Sequence, residues 1–494
     1  MMDTEEGPVK ISVRETVDGR AVEEGAGVDN GADTGTARQS GKDGKGGAPR
    51  DGGGKSRRDK NGDEAHYRSD PWIWGIYVLL LVVSLVELYS ASSAEVKIGH
   101  VYSPLIHHAI YLFIGFMLVC WMQRIHYRVY RRYAVLYFVV CILLLILSMQ
   151  VGVNINGATR ALSVKGFTIQ PAELLKLAIV LILTRILSTH QMDGGVTLKG
   201  VFISVGVVAL SCGLVFMNGL TNMALIMGVS LCMFIISGIQ WSRIILAIVI
   251  YGVLGVVAWQ VVYSEPKEDA FSQVSAEEVE QSKKEDIGRG TTRSNRIKRY
   301  IEGVNPEDSV TDENYQVIHA NYAIAHGGLG GKGLGNSRES ARLPLAFSDY
   351  IYSIIVEDSG FIGGVALLIV YLLLVACAGR VASKCSRAFP AILVMGCAVM
   401  IMLQALTHMA IVVGVGPVSG QPLPFISKGG TSIIVMSMAI GMMLSVSRYA
   451  ARGNNAKATK RELKELPESM HSDNPMLITR DNPAGRRSER RRQE

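Results

Sequence analysis

The sequence lacks most of the marks of a soluble enzyme. Its seven cysteines (Cys120, Cys141, Cys212, Cys232, Cys377, Cys385 and Cys397) form no CxxC pair and no His-flanked cluster. That excludes a zinc site and leaves no basis for a disulfide scaffold. They fall in or beside apolar segments and read as buried free thiols. No GK[ST] triplet occurs in the Gly-rich run 327–337, so this run is not a nucleotide phosphate loop. No cluster of His, Asp and Glu stands at metal-ligand spacing, and no metal-binding residue is predicted. Residues 1–70 have almost no large apolar side chains. They lack the continuous apolar core of a cleaved signal peptide and read as a disordered tail. No clear internal repeat is present, which argues against an inverted-repeat transporter.

What the sequence has is apolar length. Of its 494 residues 49% are hydrophobic, and they are gathered in blocks separated by short polar connections. A helix rises about 1.5 Å per residue, so an uncharged run of about 20 residues crosses a bilayer core. Ten such runs are legible, near 71–91, 104–123, 134–151, 173–188, 198–216, 221–239, 242–263, 350–379, 389–416 and 431–449. The predicted fold class is an all-α polytopic membrane protein of about ten transmembrane helices, with re-entrant extracytoplasmic loops and one long extracytoplasmic loop. The expected division is a cytoplasmic tail 1–70, a ten-span domain 71–449 with its long loop at 264–348, and a basic disordered cytoplasmic tail 450–494. The fifth and sixth runs are joined by so short a turn that they make a tight hairpin.

Charge gives the orientation. The net charge is +7, but the basic residues sit in short loops and the C-terminal tail, which is a membrane pattern and not a nucleic-acid one. Arg124, Arg128, Arg131 and Arg132 follow the second run, and Arg380, Lys384 and Arg387 follow the eighth. The opposite loops carry little beyond Lys97, Arg160, Lys165 and Lys428. Both termini are therefore expected in the cytoplasm. Three unusual segments then share the outer face: 156–173, 264–348 and 416–432. Polar backbone survives at membrane depth only against protein or a water-filled cavity, so GPVSGQPLPFISKGG is expected to re-enter the membrane. Within the long loop, 267–303 is charged and amphipathic, and one or two short surface helices are expected there as a lid and docking surface.

These segments carry a resemblance. NGATR followed by FTIQPAELLKLA, then YQ with GGLGGKGLGNS and DYIYSIIVEDSGFIGG, then PVSGQPLPFISKGGTS, resemble in order the three signatures of the SEDS family (shape, elongation, division, sporulation). GLGNS is closer to the FtsW type than to the elongation paralogue of the RodA type. The chain departs from the family pattern at Ala161 and Leu162, at Val356, at Asp358, at NGLTNMA (218–224), at His408 and at Lys428.

The resemblance implies a peptidoglycan glycosyltransferase that polymerises lipid II into glycan strands for septal wall synthesis in cell division. The acceptor 4-hydroxyl attacks an anomeric carbon and undecaprenyl pyrophosphate leaves, with inversion. Such chemistry needs a base, cations for the leaving group and a groove for the polyprenyl chain. Asp349, at the outer start of the eighth run, matches the family's catalytic carboxylate. From spacing alone, Ser348 and Asp349 serve equally well as helix caps. Glu173 and Lys176 share a helix face at i, i+3 and read either as an intramembrane salt bridge or, with Arg160, as contacts to pyrophosphate. The motifs add Gln170 and Ser427 to the substrate-binding set. Glu357 and Asp358 read first as a structural polar pairing, although the motif also carries Glu357 into the site. His408 reads as a helix-packing residue. No cofactor is expected, and the pyrophosphate chemistry leaves room for a divalent cation. The implied partners are lipid II, the growing glycan strand, a class B penicillin-binding protein of the FtsI type and other division proteins. The implied location is the inner membrane at the septum. The competing readings are a flippase for lipid-linked precursors and a non-catalytic scaffold.

Overall fold

The computed structural model of the protein describes residues 69–96, 103–151, 153–155, 158–164, 167–192, 195–216, 219–263, 300, 315–343 and 348–449. All of them belong to one compact unit, Glu64–Glu494. The predicted tails, apart from Ser69 and Asp70, and the surface helices expected within 267–303, apart from Tyr300, lie outside the described residues.

Helices stand at all ten expected positions: α1 (Pro71–Val96), α2 (Ser103–Met122), α3 (Tyr127–Val151), α4 (Pro171–Thr189), α5 (Leu198–Phe216), α6 (Leu220–Ile236), α7 (Trp241–Tyr263), then α9 (Ile351–Ser383), α10 (Ala388–Val412) and α11 (Gly430–Tyr449). A further helix, α8 (Tyr315–Gly327), precedes α9. Seven of the ten are long and apolar enough to cross a membrane. Of the others, α6 has 17 residues and α4 carries Glu173, Lys176 and Arg185. The helix starts follow local chemistry. Asp70 Oδ1 accepts the N–H of Trp72 at 2.9 Å and of Ile73 at 3.2 Å, with Pro71 in the first helical position. This satisfies two orphan donors while proline replaces a third. Helix α4 likewise opens on Pro171 behind Gln170.

Helices α4, α10 and α11 form the centre. Helix α10 packs against α4, α6, α9 and α11, and α2 lies along α11. Apolar side chains cover all sides of the peripheral helices, and Phe113 of α2, Leu143 of α3 and Val253 of α7 remain exposed. A helix apolar all round belongs in lipid, so these outward faces are the lipid-facing perimeter. Buried hydroxyls return to their own helix. Thr184 donates to Val180 O at 2.6 Å and Ser211 to Val207 O at 2.8 Å, which satisfies them where no water reaches.

Two features differ from the sequence reading. The segment expected as a loop before α4 forms an antiparallel sheet, β1 (Val153–Ile155), β2 (Ala158–Val164) and β3 (Phe167–Ile169), in the order β1-β2-β3. Leu162 pairs with Ile169 and Val164 with Phe167. A small hairpin closes backbone bonds that a loop over the helix ends would leave open. The second difference is in the eighth span. Helix α9 is not continuous: it kinks at Gly360, which has φ 75° and ψ −177°.

Candidate active site

The segment between α10 and α11 is irregular backbone, yet Gln421 to Ser427 are all buried. Its polar groups are met by side chains from several helices, as re-entrant backbone requires. Ser84 of α1 donates to Phe425 O at 2.7 Å, and Tyr371 of α9 donates to Pro424 O at 2.5 Å. Ser84 has a single hydroxyl proton, so the Nε2–H of His108 is the donor in the 2.7 Å bond between them. Phe425 sits at φ 68°, a left-handed conformation that costs about 1–2 kcal/mol for a non-glycine residue. The Tyr77 ring packs edge-on against Phe425 at 5.5 Å and helps hold that conformation.

The deepest tie is Lys176. Its ammonium is 2% exposed and donates to Glu173 Oε1 at 2.6 Å, Gln404 Oε1 at 2.6 Å and Gln421 Oε1 at 3.3 Å. Lysine has three donors, and each meets a protein acceptor. The two glutamine amides carry the network outward. Gln404 Nε2 donates to Pro422 O at 3.1 Å and Ser432 Oγ at 3.3 Å, while Gln421 Nε2 donates to Asn222 Oδ1 at 2.9 Å. His408 donates through Nδ1 to Gln421 O at 2.7 Å. Glu173 and Lys176 are therefore together, as their spacing implies, and they lock α4, α10 and the re-entrant segment.

Asp349 is half-buried and stands one residue outside the N-cap of α9, which is Tyr350. Ser348 Oγ donates to Asp349 Oδ1 at 3.1 Å. Ser427 joins this corner to the re-entrant segment. It donates to Ser348 O at 2.7 Å and accepts the N–H of Leu423 at 2.8 Å. A methyl placed on Gly420 would lie 3.6 Å from Asp349 Oδ2, so the carboxylate lies against bare backbone there. Gln170 is half-buried at the start of α4. Its N–H donates to Thr431 Oγ1 at 3.2 Å, and Thr431 donates to Thr168 O at 2.8 Å. Arg160 lies on β2, and its side chain is outside the described residues.

Glu357 belongs to a separate arrangement. It is fully buried and accepts from Lys332 Nζ at 2.8 Å, Ser337 Oγ at 2.5 Å, Arg338 N at 3.1 Å and Glu339 N at 3.3 Å. The Gly-rich run is a fitted splint for the kink in α9. Lys332 N donates to Glu357 O at 3.0 Å and Gly333 N to Asp358 O at 2.9 Å, while Phe361 N donates to Gly328 O at 2.9 Å. These bonds replace the ones the helix loses at Gly360. Gly331 and Gly360 both have positive φ, and a Cβ on either would strike backbone of the other strand of this junction. Sequence reasoning missed Ser84, His108, Asn222, Gln404 and Gln421. The signal for Ser84, His108, Asn222 and Gln404 was a polar residue inside an apolar run, whereas Gln421 lies in the re-entrant motif itself.

Residues 71–452 match the model of the FtsW, RodA and SpoVE family, described as cell cycle protein. The chain belongs to the FtsW/RodA/SpoVE family. This is the SEDS family that the three motifs resemble. Stage V sporulation protein E of Bacillus subtilis is 29% identical over 382 residues, with 76% of this chain and 96% of that protein covered. The probable peptidoglycan glycosyltransferase FtsW of Geobacter sulfurreducens is 31% identical over 391 residues, with 76% and 95% covered. Among solved structures, a chain from a study of the structural coordination of polymerization and crosslinking by a peptidoglycan synthase complex aligns with TM-score 0.58 at 21% identity. That alignment covers 77% of this chain and 98% of the other. The rod shape determining protein RodA of Thermus thermophilus aligns with TM-score 0.52 at 20% identity, covering 77% and 97%. These structural likenesses establish the SEDS fold, a multi-pass helical membrane protein.

Proposed function

We propose that this chain is a peptidoglycan glycosyltransferase of the FtsW type, which polymerises lipid II into glycan strands for septal wall synthesis. Both termini lie in the cytoplasm, the site opens at the outer face of the inner membrane, and a class B penicillin-binding protein supplies the cross-linking activity. The observation that carries this reading is the corner at Asp349: a half-buried carboxylate braced through Ser348 and Ser427 against a buried, irregular segment. Family membership and the relatives named as glycosyltransferases support it.

In this reading Asp349 takes the proton of the acceptor 4-hydroxyl as that oxygen attacks the anomeric carbon and the pyrophosphate leaves. Arg160 meets the pyrophosphate with its planar, bidentate donors, together with Gln170 at the start of α4. Lys176 and Glu173 act by positioning, since the ammonium already has three acceptors. Ser427 holds the Asp349 corner, and Glu357 holds the Gly-rich splint. A divalent cation at the leaving group would supply further charge stabilisation.

The test is lipid II polymerisation by the purified full-length protein with its class B partner, comparing wild type with Asp349→Ala and Asp349→Asn. Glycan strands from the wild type, lost in variants that keep wild-type unfolding temperatures and bind the partner, are the expected result. Equal polymer from all three removes Asp349 from the chemistry. Movement of lipid II across liposomes without polymer would replace this reading with a flippase.

A further inference from the structure

The Gly-rich run lies at a bilayer boundary, and two helices place it there independently. At the start of α1, Trp72 is exposed, and Arg380 of α9 stands over its ring at 5.8 Å. An aromatic ring with a basic residue beside it at the end of a span marks a membrane–water interface. Tyr89 is exposed further along α1, and the next residue, Ser90, accepts the N–H of Gly335 at 2.9 Å. Trp72 to Ser90 is about 27 Å at 1.5 Å per residue. On α9, the stretch beyond the kink from Phe361 to Arg380 has no charged side chain between its ends and rises about 28 Å. Its first N–H groups hold the run, Phe361 N on Gly328 O and Ile362 N on Leu329 O. Both lengths match a hydrocarbon core about 30 Å thick, so the run is fixed where that core ends, on the side opposite Arg380.

At that depth it turns apolar side chains outward. Leu329 and Leu334, with Phe361 and Ile362 at the kink, are between 58% and 74% exposed. Such a concentration is unusual on a surface that faces water. The run cannot fold it away, since its backbone is held by Glu357 and by the kink. Ile362 is also continuous, at helical spacing, with the exposed Ile369 and Leu373 of the lipid-facing side of α9. The charges sort in the same sense. Glu339, Glu357 and Asp358 are buried, whereas Arg338 and Arg342 are exposed. Arg338 is fixed through its N–H, which donates to Glu357 Oε1 at 3.1 Å, while its guanidinium has no partner among the described residues. Outward leucines beside an unengaged arginine suit the level at which acyl chains meet lipid phosphates.

We propose that the Gly-rich run is a lipid-binding loop: Leu329 and Leu334, with Phe361 and Ile362, enter the acyl region of the leaflet opposite Arg380, and Arg338 meets the headgroup phosphate of an anionic phospholipid there. That leaflet is the outer one in the orientation proposed above. Insertion removes the four side chains from water, and the guanidinium supplies planar, bidentate donors for the phosphate. Because the same run braces the kink, the loop fixes the depth of the first stretch of α9 in the bilayer.

The test uses the full-length protein in nanodiscs of phosphatidylcholine and phosphatidylglycerol, without lipid II. Nitroxide labels on Leu329→Cys and Leu334→Cys report collisions with oxygen, which concentrates in the acyl region, and with a water-soluble nickel chelate. Leu143→Cys, on an exposed side of α3, is the lipid reference, and wild type labelled in the same way gives the background from the native cysteines. Both loop labels are expected to resemble Leu143→Cys, with frequent oxygen contact and a loss of nickel contact. Nickel contact as in water at either position overturns the insertion. Shielding from both reagents also overturns it and assigns the patch to a protein contact between copies of the chain. Nickel contact that disappears only on addition of the class B partner assigns the patch to that partner instead. The headgroup has its own readout. Native mass spectrometry of protein from mixed micelles of the two lipids counts bound phosphatidylglycerol against phosphatidylcholine. An arginine near an anionic surface contributes about 1 kcal/mol, so Arg338→Gln is expected to lower the preference for phosphatidylglycerol roughly fivefold. An unchanged preference overturns the role of Arg338. Neither readout uses polymerisation, so failure of the transferase reading leaves both decisive.

Discussion

Substituting Lys176 by methionine tests how the re-entrant segment is held. The methionine fills nearly the same volume but removes one ammonium from three buried acceptors, Glu173 Oε1, Gln404 Oε1 and Gln421 Oε1. The dominant loss is the uncompensated charge on Glu173, itself 2% exposed. Breaking one side of a buried ion pair costs about 3–5 kcal/mol, which corresponds to roughly 150- to 5,000-fold in the folding equilibrium. Removing the carboxylate as well, in Glu173→Leu/Lys176→Met, leaves only two amide oxygens without a donor, at about 1 kcal/mol each. The double variant is therefore expected to be more stable than the single one, by roughly 1–3 kcal/mol. The protein carries its own reporters. Cys141, Cys212, Cys377, Cys385 and Cys397 are buried free thiols, and a thiol-reactive dye follows their exposure during unfolding in detergent. A single variant as stable as wild type, or a double variant less stable than the single, would refute the reasoning.

Three further outcomes follow from the same geometry. Ser427→Ala leaves Leu423 N without its acceptor and Ser348 O without its donor; a loss of about 1–3 kcal/mol is expected, with slower polymerisation, and unchanged kinetics would separate Ser427 from the Asp349 corner. Gly360→Ala places a Cβ against Leu329 O at positive φ; thermal unfolding should show destabilisation of about 1–3 kcal/mol or more, whereas a neutral effect would mean that the kink is not fixed by the splint. Glu357→Ala strands the donors of Lys332, Ser337, Arg338 and Glu339; limited proteolysis should then cut within 328–338, and a protected run would refute the splint.

The sequence by itself determined the class of the molecule and the place of its helices. Apolar length is a local property, so α1 and α11 could be read without knowing their neighbours, and Asp70 with Pro71 marked a start by the same local chemistry. The Glu173–Lys176 pair was legible for a similar reason: i, i+3 spacing on a helix is a short-range fact. The order of three polar motifs pointed to Asp349 and Ser427. Their arrangement did not follow from order. Which acceptors surround Lys176 was decided only in three dimensions, because Gln404 and Gln421 lie 228 and 245 residues away along the chain. The kink at Gly360 was not read although EDSG (357–360) interrupts the eighth apolar run there, because only the docked Gly-rich run reveals where its freed N–H and C=O groups go. Hydropathy records the solvent each residue prefers, whereas a hydrogen-bond network depends on which distant residues the packed helices bring within about 3 Å.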